Sequence, residues 1–241
     1  MVREHLKGLI EREADLEVCG EAGDGPTALS MIASEQPDLV ILDISLKGSH
    51  GLELLKDLQA LKRGQAVLVL SMHDETVYAE RALRAGAMGY ITKQEATVNV
   101  LVAIRRVLGG QVYVSERMGG RMMKKLVGGR VTEVGSPLEV LADRELEVFQ
   151  MIGRGKGTRQ IAEELRLGIK TVETYRARIR EKLQLADGNE LLQHAIQWNE
   201  RNLTSAPFNP QNAGFDRTSE PAVKNFHGFH LRASDVPKIN P

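Results

Sequence analysis

The sequence predicts an α/β unit with a doubly wound parallel sheet, followed by a smaller all-α unit. Strand-like and helix-like segments alternate through residues 1–110, as in parallel strands joined by right-handed helical crossovers. The runs LVIL and AVLVL are continuously apolar, which is typical of strands covered by helices on both faces. Beyond residue 140 the apolar residues recur with the spacing of short helices, and no strand pattern follows.

The elements of the first unit follow from hydrophobic period and from breaker residues. Helices are predicted at 2–14, 26–36, 51–63, 75–85 and 96–108, and strands at 16–22, 39–43, 66–71 and 89–92. Gly109 and Gly110 end the last helix. Residues 1–110 are therefore assigned to this unit. Residues 111–137 are assigned to a flexible linker, in which Ser115 could cap a short basic helix.

Composition limits the class of protein. The chain has 241 residues, 42% hydrophobic and 27% charged, which is enough for two small folded cores. Its apolar runs are far shorter than the roughly 18 residues that span a bilayer, and no secretory signal opens it, so we expect a cytoplasmic protein without a membrane partner. The single cysteine, Cys19, excludes a disulfide framework or a thiolate metal site within one chain.

The segment from 171 to 183 predicts an amphipathic helix with an informative outer face. At about 100° per residue its apolar positions form one narrow stripe facing a core. The members of this stripe are Val172, Tyr175, Ile179 and Leu183. Lys170, Thr174 and Ala177 point the other way, flanked by Glu173 and Arg178. A short polar surface of this kind fits the major groove of DNA.

Charge distribution supports a nucleic-acid partner although the formal net charge is zero. Basic residues are concentrated on the same helix, where only Glu173 and Glu181 oppose them. The basic residues are Lys170, Arg176, Arg178, Arg180 and Lys182. The competing interpretation, a solvated helix face with alternating charges, fits this helix alone but not the two helices before it.

Polar residues follow three of the predicted strands. PDLVILD ends in Asp43, AVLVLS in Ser71 and GYITK in Lys93. Ligands of open α/β sheets collect beyond the carboxyl ends of the strands, where these three side chains would converge. A carboxylate can accept a phosphoryl group, a hydroxyl can bind its oxygen and an ammonium can neutralise its charge. The set predicts a phospho-accepting site.

The pattern L-x-x-R-E-x-E-V, then G-x-x-x-x-x-I-A-x-x-L, then T-V-x-T-Y-R, resembles the helix-turn-helix of LuxR/NarL-type response regulators. The second unit is assigned to residues 138–202 on this basis, and the first unit resembles the flavodoxin-like receiver domain of the same regulators. The resemblance implies Asp43 as phosphoacceptor, Ser71 as switch hydroxyl, Lys93 as phosphate-binding lysine and Tyr90 as switch aromatic. It also implies a sensor histidine kinase, double-stranded DNA and a homodimer of the active form as partners.

One departure from the receiver pattern concerns the metal. Receiver domains hold Mg²⁺ with an acidic pair after a first strand, with the phosphoacceptor and with a backbone carbonyl, here by position that of Ser45. Met1 begins directly at the first helix, so the acidic pair and its strand are absent from the sequence. That strand would be central, and leaving its neighbours unpaired would cost about 1 to 3 kcal/mol for each group. A clipped start, or a degenerate receiver that works without phosphorylation, would explain the departure.

Roles for the outward face of the 171–183 helix follow from hydrogen-bonding chemistry. Lysine can donate to guanine, glutamate can accept from cytosine, and small side chains allow contact with a thymine methyl group. We expect Lys170, Glu173, Thr174 and Ala177 at base edges. Arg178 and Thr171 are better placed for phosphates, and Arg176 lies nearer the apolar stripe.

The last segment, 203–241, changes to Pro, Asn, Ser and Gly without a sustained period, which predicts disorder. His227 and His230 lack further ligands and are not assigned to a metal site. The predicted function is phosphorylation-controlled transcription regulation through DNA binding. Alternatives are a regulator that acts without phosphorylation, and a phosphoryl sink or protein-interaction module without productive DNA binding. An enzyme of small metabolites is not expected, because no acid, base or metal cluster accompanies Asp43.

Overall fold

The structure is a computed structural model that describes residues 2–44, 51–60, 64–72, 75–127, 136–204 and 228–233. It divides into two compact units. The first unit comprises Met1–Thr132 together with Lys224–Pro241, and the second comprises Glu133–Val223. The chain therefore leaves the first unit, forms the second, and returns to the first.

The first unit alternates helices and strands as predicted. Its helices are α1 (Val2–Ile10), α2 (Gly25–Glu35), α3 (Gly51–Ala60), α4 (Glu75–Arg84), α5 (Lys93–Leu108) and α6 (Glu116–Leu126), and its strands are β1 (Leu16–Ala22), β2 (Leu39–Asp43), β3 (Ala66–Ser71), β4 (Gly89–Thr92) and β5 (Gly228–Ala233). α1 ends four residues earlier than predicted, and α5 begins at Lys93 because Thr92 caps it by accepting a hydrogen bond from the Glu95 amide.

The sheet has the strand order β1-β5-β2-β3-β4 within the described residues. β2, β3 and β4 are parallel, as the alternating pattern predicts. β5 lies between β1 and β2 and runs antiparallel to both. His230 is paired with Gly20 on one side and Val40 on the other, and Leu231 with Val18 and Leu39. The sheet is thus mixed rather than wholly parallel.

The prediction of a disordered tail over 203–241 is wrong for residues 203–204, which belong to the helix Gly188–Thr204, and for residues 228–233. The second of these segments fills the central position that the sequence left vacant, so the predicted cost of unpaired ladders at β1 and β2 is not incurred. Its sequence is too short to show a period, and the two neighbouring strands decide its conformation. Residues 205–227 and 234–241 of the predicted tail lie outside the described residues.

An apolar core covers one face of this sheet. Phe229 and Leu231 of β5 are fully buried in it, together with Leu6 and Ile10 of α1 and Ile104 of α5. Burying a large aliphatic or aromatic side chain contributes about 1.5 to 3 kcal/mol, so β5 is a substantial part of the core.

The linker prediction is wrong for residues 116–126, which form α6. Ser115 caps this helix by accepting a hydrogen bond from the Met118 amide, as expected, and its hydroxyl also donates to Glu75 of α4. Lys125 Nζ lies 2.7 Å from Glu80 Oε2, and Met118 is buried. α6 is therefore packed on α4. Residues 128–135 of the predicted linker lie outside the described residues.

The second unit consists of a 3₁₀ turn (Pro137–Val140) and the helices α7 (Asp143–Gly153), α8 (Thr158–Leu165), α9 (Ile169–Leu183) and α10 (Gly188–Thr204). Phe149 of α7 meets Trp198 of α10 edge to face, with ring centroids 6.1 Å apart. Across both units, none of the helices in the described ranges is long and apolar enough to cross a membrane.

Candidate functional sites

The outward face of α9 is the first candidate site. Val172 and Ile179 are completely buried and Tyr175 and Leu183 are half-buried, so the predicted apolar stripe faces the core. The residues predicted to contact DNA lie on the other side. Those exposed to solvent are Lys170, Thr171, Glu173, Thr174, Ala177 and Arg178. The predicted amphipathic arrangement is confirmed, and the contacts of these residues with DNA stay a prediction.

Two side chains of α9 that were predicted to contact DNA, those of Thr174 and Arg176, are constrained by their surroundings. The Thr174 hydroxyl donates to the Lys170 carbonyl at 2.9 Å, which orients its methyl group away from that bond. Arg176 is half-buried, and burial together with Arg180 holds its pKa below the ordinary value. Arg176 is therefore less available to a phosphate than the exposed Arg178.

Lys182 does not belong to the outward basic surface. Its Nζ lies 2.6 Å from Glu145 Oε2, and this carboxylate also accepts a hydrogen bond from the Ala142 amide at the start of α7. Glu145 is 3% exposed. This pair was not predictable from local pattern, because the two residues are separated by 37 positions and meet only when α7 packs on α9.

The second candidate site lies at the carboxyl ends of β2, β3 and β4. Asp43 is 1% exposed, and its Oδ2 forms an ion pair with Nζ of Lys93 at the start of α5. Ser71 is fully buried at the end of β3, where it is paired with Thr92 of β4. The structure thus brings Asp43 and Lys93 into contact and places Ser71 at the end of the adjacent strand.

Tyr90 is buried within β4, at 1% exposure. Its amide donates to the Tyr113 carbonyl, and the Tyr113 amide donates to the Met88 carbonyl. Tyr113 therefore forms an isolated parallel bridge alongside β4. The Tyr113 hydroxyl donates to Glu95 at 3.0 Å, and burial and the neighbouring carboxylate raise its pKa to about 12. Sequence analysis missed Tyr113, which it placed in a flexible linker.

The described residues do not fit a magnesium site. No group of three or more His, Cys, Asp or Glu side chains able to hold a metal is found among them. β5 occupies the position of the missing strand, and its residue paired with Leu42 is Gly228, which carries no carboxylate. Ser45, whose carbonyl was the expected third ligand, lies outside the described residues. The carboxylate of Asp43 is instead balanced by Lys93.

Comparison with protein families gives two matches on this chain. The response regulator receiver domain matches residues 1–105, and the luxR family of bacterial regulatory proteins matches residues 139–195. Receiver domains typically use Mg²⁺ for phosphorylation, a property of that family rather than an observation on this chain.

Whole-chain relatives agree with these matches. The chain is 31% identical over 201 residues to the oxygen regulatory protein NreC of Staphylococcus carnosus, covering 82% of this chain and 93% of that protein. It is 32% identical over 202 residues to NreC of Staphylococcus epidermidis, with the same coverage of both.

Among solved structures, the RcsB response regulator of Salmonella typhimurium has a similar fold, with a TM-score of 0.63 at 20% identity over 82% of this chain and 92% of that chain. Another RcsB structure, from Salmonella enterica serovar Typhimurium and bound to promoter rprA, has a TM-score of 0.57 at 21% identity, over 79% of this chain and 91% of that chain. The two units, their order and the full-length relatives together show that the chain belongs to the LuxR/NarL family of two-component response regulators, which are DNA-binding regulators of transcription.

Proposed function

We propose that this regulator binds double-stranded DNA by inserting α9 into the major groove. Lys170, Glu173, Thr174 and Ala177 would contact base edges, because they occupy the exposed side of the helix near its start. Arg178 and Thr171 would bind phosphates, with Arg176 in a lesser role because of its burial. We accordingly propose that the protein acts in the cytoplasm, where the chromosome is accessible.

The observation that carries this proposal is the division of α9 into two faces. Val172 and Ile179 anchor one face in the core at 0% exposure, while the predicted contact residues are exposed on the other. No helix or strand within the described second unit covers that face. The RcsB structure bound to promoter rprA shows that a regulator of similar fold binds DNA.

We further propose a homodimer on DNA. A C2 pair of helix-turn-helix units matches two half-sites at a spacing fixed by protein symmetry. α10 carries Leu192, an apolar residue that is 37% exposed, and we propose this helix as the dimer contact. Contact through α10 would bury it.

Asp43 is the proposed phosphoacceptor. A sensor histidine kinase would transfer the phosphoryl group from its phosphohistidine to a carboxylate oxygen of Asp43, breaking a P–N bond and forming a P–O bond. Lys93, already paired with Asp43, would stay beside the added negative charge, and the Ser71 hydroxyl and Tyr90 ring would readjust. No step here uses a metal, because the described residues do not fit one.

A second candidate function has support from the same site. The ion pair with Lys93 already neutralises Asp43, and the described residues lack a metal-binding acidic cluster. Both features suit a regulator that binds DNA without being phosphorylated.

Two measurements on the full-length protein test these proposals. Gel shifts with a randomised duplex pool at several salt concentrations should show sequence preference and a steep loss of affinity with salt. Absence of binding even at low salt would favour the phosphoryl sink or interaction module. Incubation with acetyl phosphate, with and without added Mg²⁺, followed by intact-mass analysis, should show addition of one phosphoryl group that is absent from Asp43→Asn. No addition in either condition would favour regulation without phosphorylation.

A further inference from the structure

We propose that β5 is a detachable strand, and that protonation of His230 releases it from the sheet. Release of β5 would change the sheet of the first unit, whichever residues contact DNA and whether or not Asp43 is phosphorylated. Three features of residues 228–233 support this release: their central position, their burial and the environment of one imidazole.

β5 is an interior strand of the sheet in the first unit, between β1 and β2. It pairs with β1 and β2 at once, and the Leu231 carbonyl accepts a further hydrogen bond from the Asp38 amide at 2.9 Å. Phe229 and Leu231 fill the core at 0% exposure. Departure of β5 would therefore expose apolar surface and unpair both neighbouring strands.

His230 is the residue of β5 whose side chain is least favourably placed in the docked strand. Its side chain faces away from Phe229 and Leu231 and is fully buried. Neither ring nitrogen has a hydrogen-bond partner among the described residues. Nδ1 lies so close to β1 that a Cβ placed on Gly20 would be 3.1 Å from it, and Met31 of α2 closes the same space. A buried polar group without a partner is unfavourable, and a buried charge without one is much more so.

The surrounding charges do not compensate for burial. Burial lowers the pKa of His230 below its ordinary value of 6.5, and Glu35 of α2 opposes this only in part. Arg232 of the same strand lies 3.3 Å from the Glu35 carboxylate and shares that negative charge. On β1, the Cys19 thiol donates to the His230 carbonyl rather than to its ring, and on β2 the register partner is the aliphatic Val40.

The direction of the pH effect follows from this lowered pKa. A released β5 binds a proton on His230 more readily than the docked strand does. Docking is therefore strongest above about pH 6.5 and weakens as the pH falls below it, by at most roughly tenfold for each pH unit because one proton is taken up.

Hydrogen exchange of the full-length protein, followed by mass spectrometry at about pH 7.5 and about pH 5.5, tests the proposal. After correction for intrinsic exchange rates, protection of the β1, β2 and β5 amides should fall by up to roughly tenfold at the lower pH, while α7 and α9 keep theirs. His230→Leu should keep β1 and β2 protected at both pH values, because it removes the titrating group and fills the apolar space. His5→Leu, at an exposed histidine of α1, should behave like the unmodified chain.

Three results would overturn the proposal. One is protection of β1 and β2 that does not change with pH in the unmodified chain. Another is an equal loss of protection in His230→Leu. A third is simultaneous loss in α7 and α9, since this would indicate global acid unfolding rather than release of one strand. The Leu231→Ala variant provides a positive control, because it should lower the protection of β1 and β2 at both pH values.

Discussion

Lys182 Nζ and Glu145 Oε2 lie 2.6 Å apart and connect α9 to the start of α7. The carboxylate is almost completely buried and also accepts the Ala142 amide, which would otherwise be an unsatisfied donor at the helix start. One glutamate thus caps α7 and binds a lysine of α9. α9 is therefore held against the rest of the second unit by a polar contact as well as by its apolar stripe, and its outward face stays exposed.

Replacing Glu145 with alanine is expected to destabilise the second unit by about 1 to 3 kcal/mol, because the Ala142 amide and Lys182 both lose their acceptor. Urea denaturation followed by the fluorescence of Trp198 would measure this. Lys182→Ala is the matched comparison, and it should cost less than about 1 kcal/mol because the lysine is partly exposed and can be hydrated. A larger effect for Lys182→Ala would contradict the capping role of Glu145.

The same glutamate predicts a pH dependence. Burial raises the pKa of Glu145, but the hydrogen bonds from Lys182 and Ala142 outweigh it, and the pKa stays below the ordinary value of 4.5. Its contribution to stability is therefore complete above about pH 4.5 and is lost as the pH falls through the lower, folded-state pKa. Denaturation curves at acid pH should show a smaller loss for Glu145→Gln than for the unmodified protein. Parallel losses in the two proteins would exclude this assignment.

Arg178→Ala and a replacement of Thr174 should have different effects on DNA binding. Arg178→Ala is expected to weaken binding to all sequences and to reduce the slope of log affinity against log salt by about 0.9, the value for one phosphate contact. Thr174→Val removes the hydroxyl at nearly constant shape and is expected to change the preferred sequence instead. Selection from a randomised pool, combined with salt titration, separates the two effects. Identical behaviour of both variants would show that the assigned roles are wrong.

Gly153→Ala should destabilise the packing of α7 on α10. A Cβ at this position would lie 2.3 Å from the Ala195 carbonyl oxygen, a backbone atom that cannot move without shifting α10. We expect a loss of about 1 to 3 kcal/mol, the range for overpacked sites. Gly120→Ala is the control, because a Cβ there meets no atom within 4 Å and alanine favours the helix. The midpoint of thermal unfolding should fall for the first variant only.

Leu231→Ala should show that β5 contributes to the stability of the first unit. Truncating a fully buried leucine is expected to cost about 2 to 5 kcal/mol. Arg232→Ala, on the same strand but with an exposed side chain, should cost less than about 1 kcal/mol. Calorimetry of the full-length chain would compare them. Equal stability of the two variants would mean that β5 does not belong to the folded core in solution.

The sequence predicted those elements whose local pattern matches their final environment. β2 and β3 are short apolar runs buried on both faces, and α9 carries a helical stripe, so composition and period were sufficient. The approach of Asp43 and Lys93 was predictable for the same reason, because parallel strands end at one edge of the sheet.

Tertiary structure decided the features that depend on distant partners. Residues 228–233 have no period of their own, and they become a strand because β1 and β2 offer unpaired backbone groups on both sides. α6 is interrupted by glycines and gains its stability from contact with α4. The sequence by itself determined the family, the division of α9 into a buried and an exposed face, and the approach of Asp43 to Lys93. Only the fold decided which segment completes the sheet, since pairing across about 190 residues leaves no local trace.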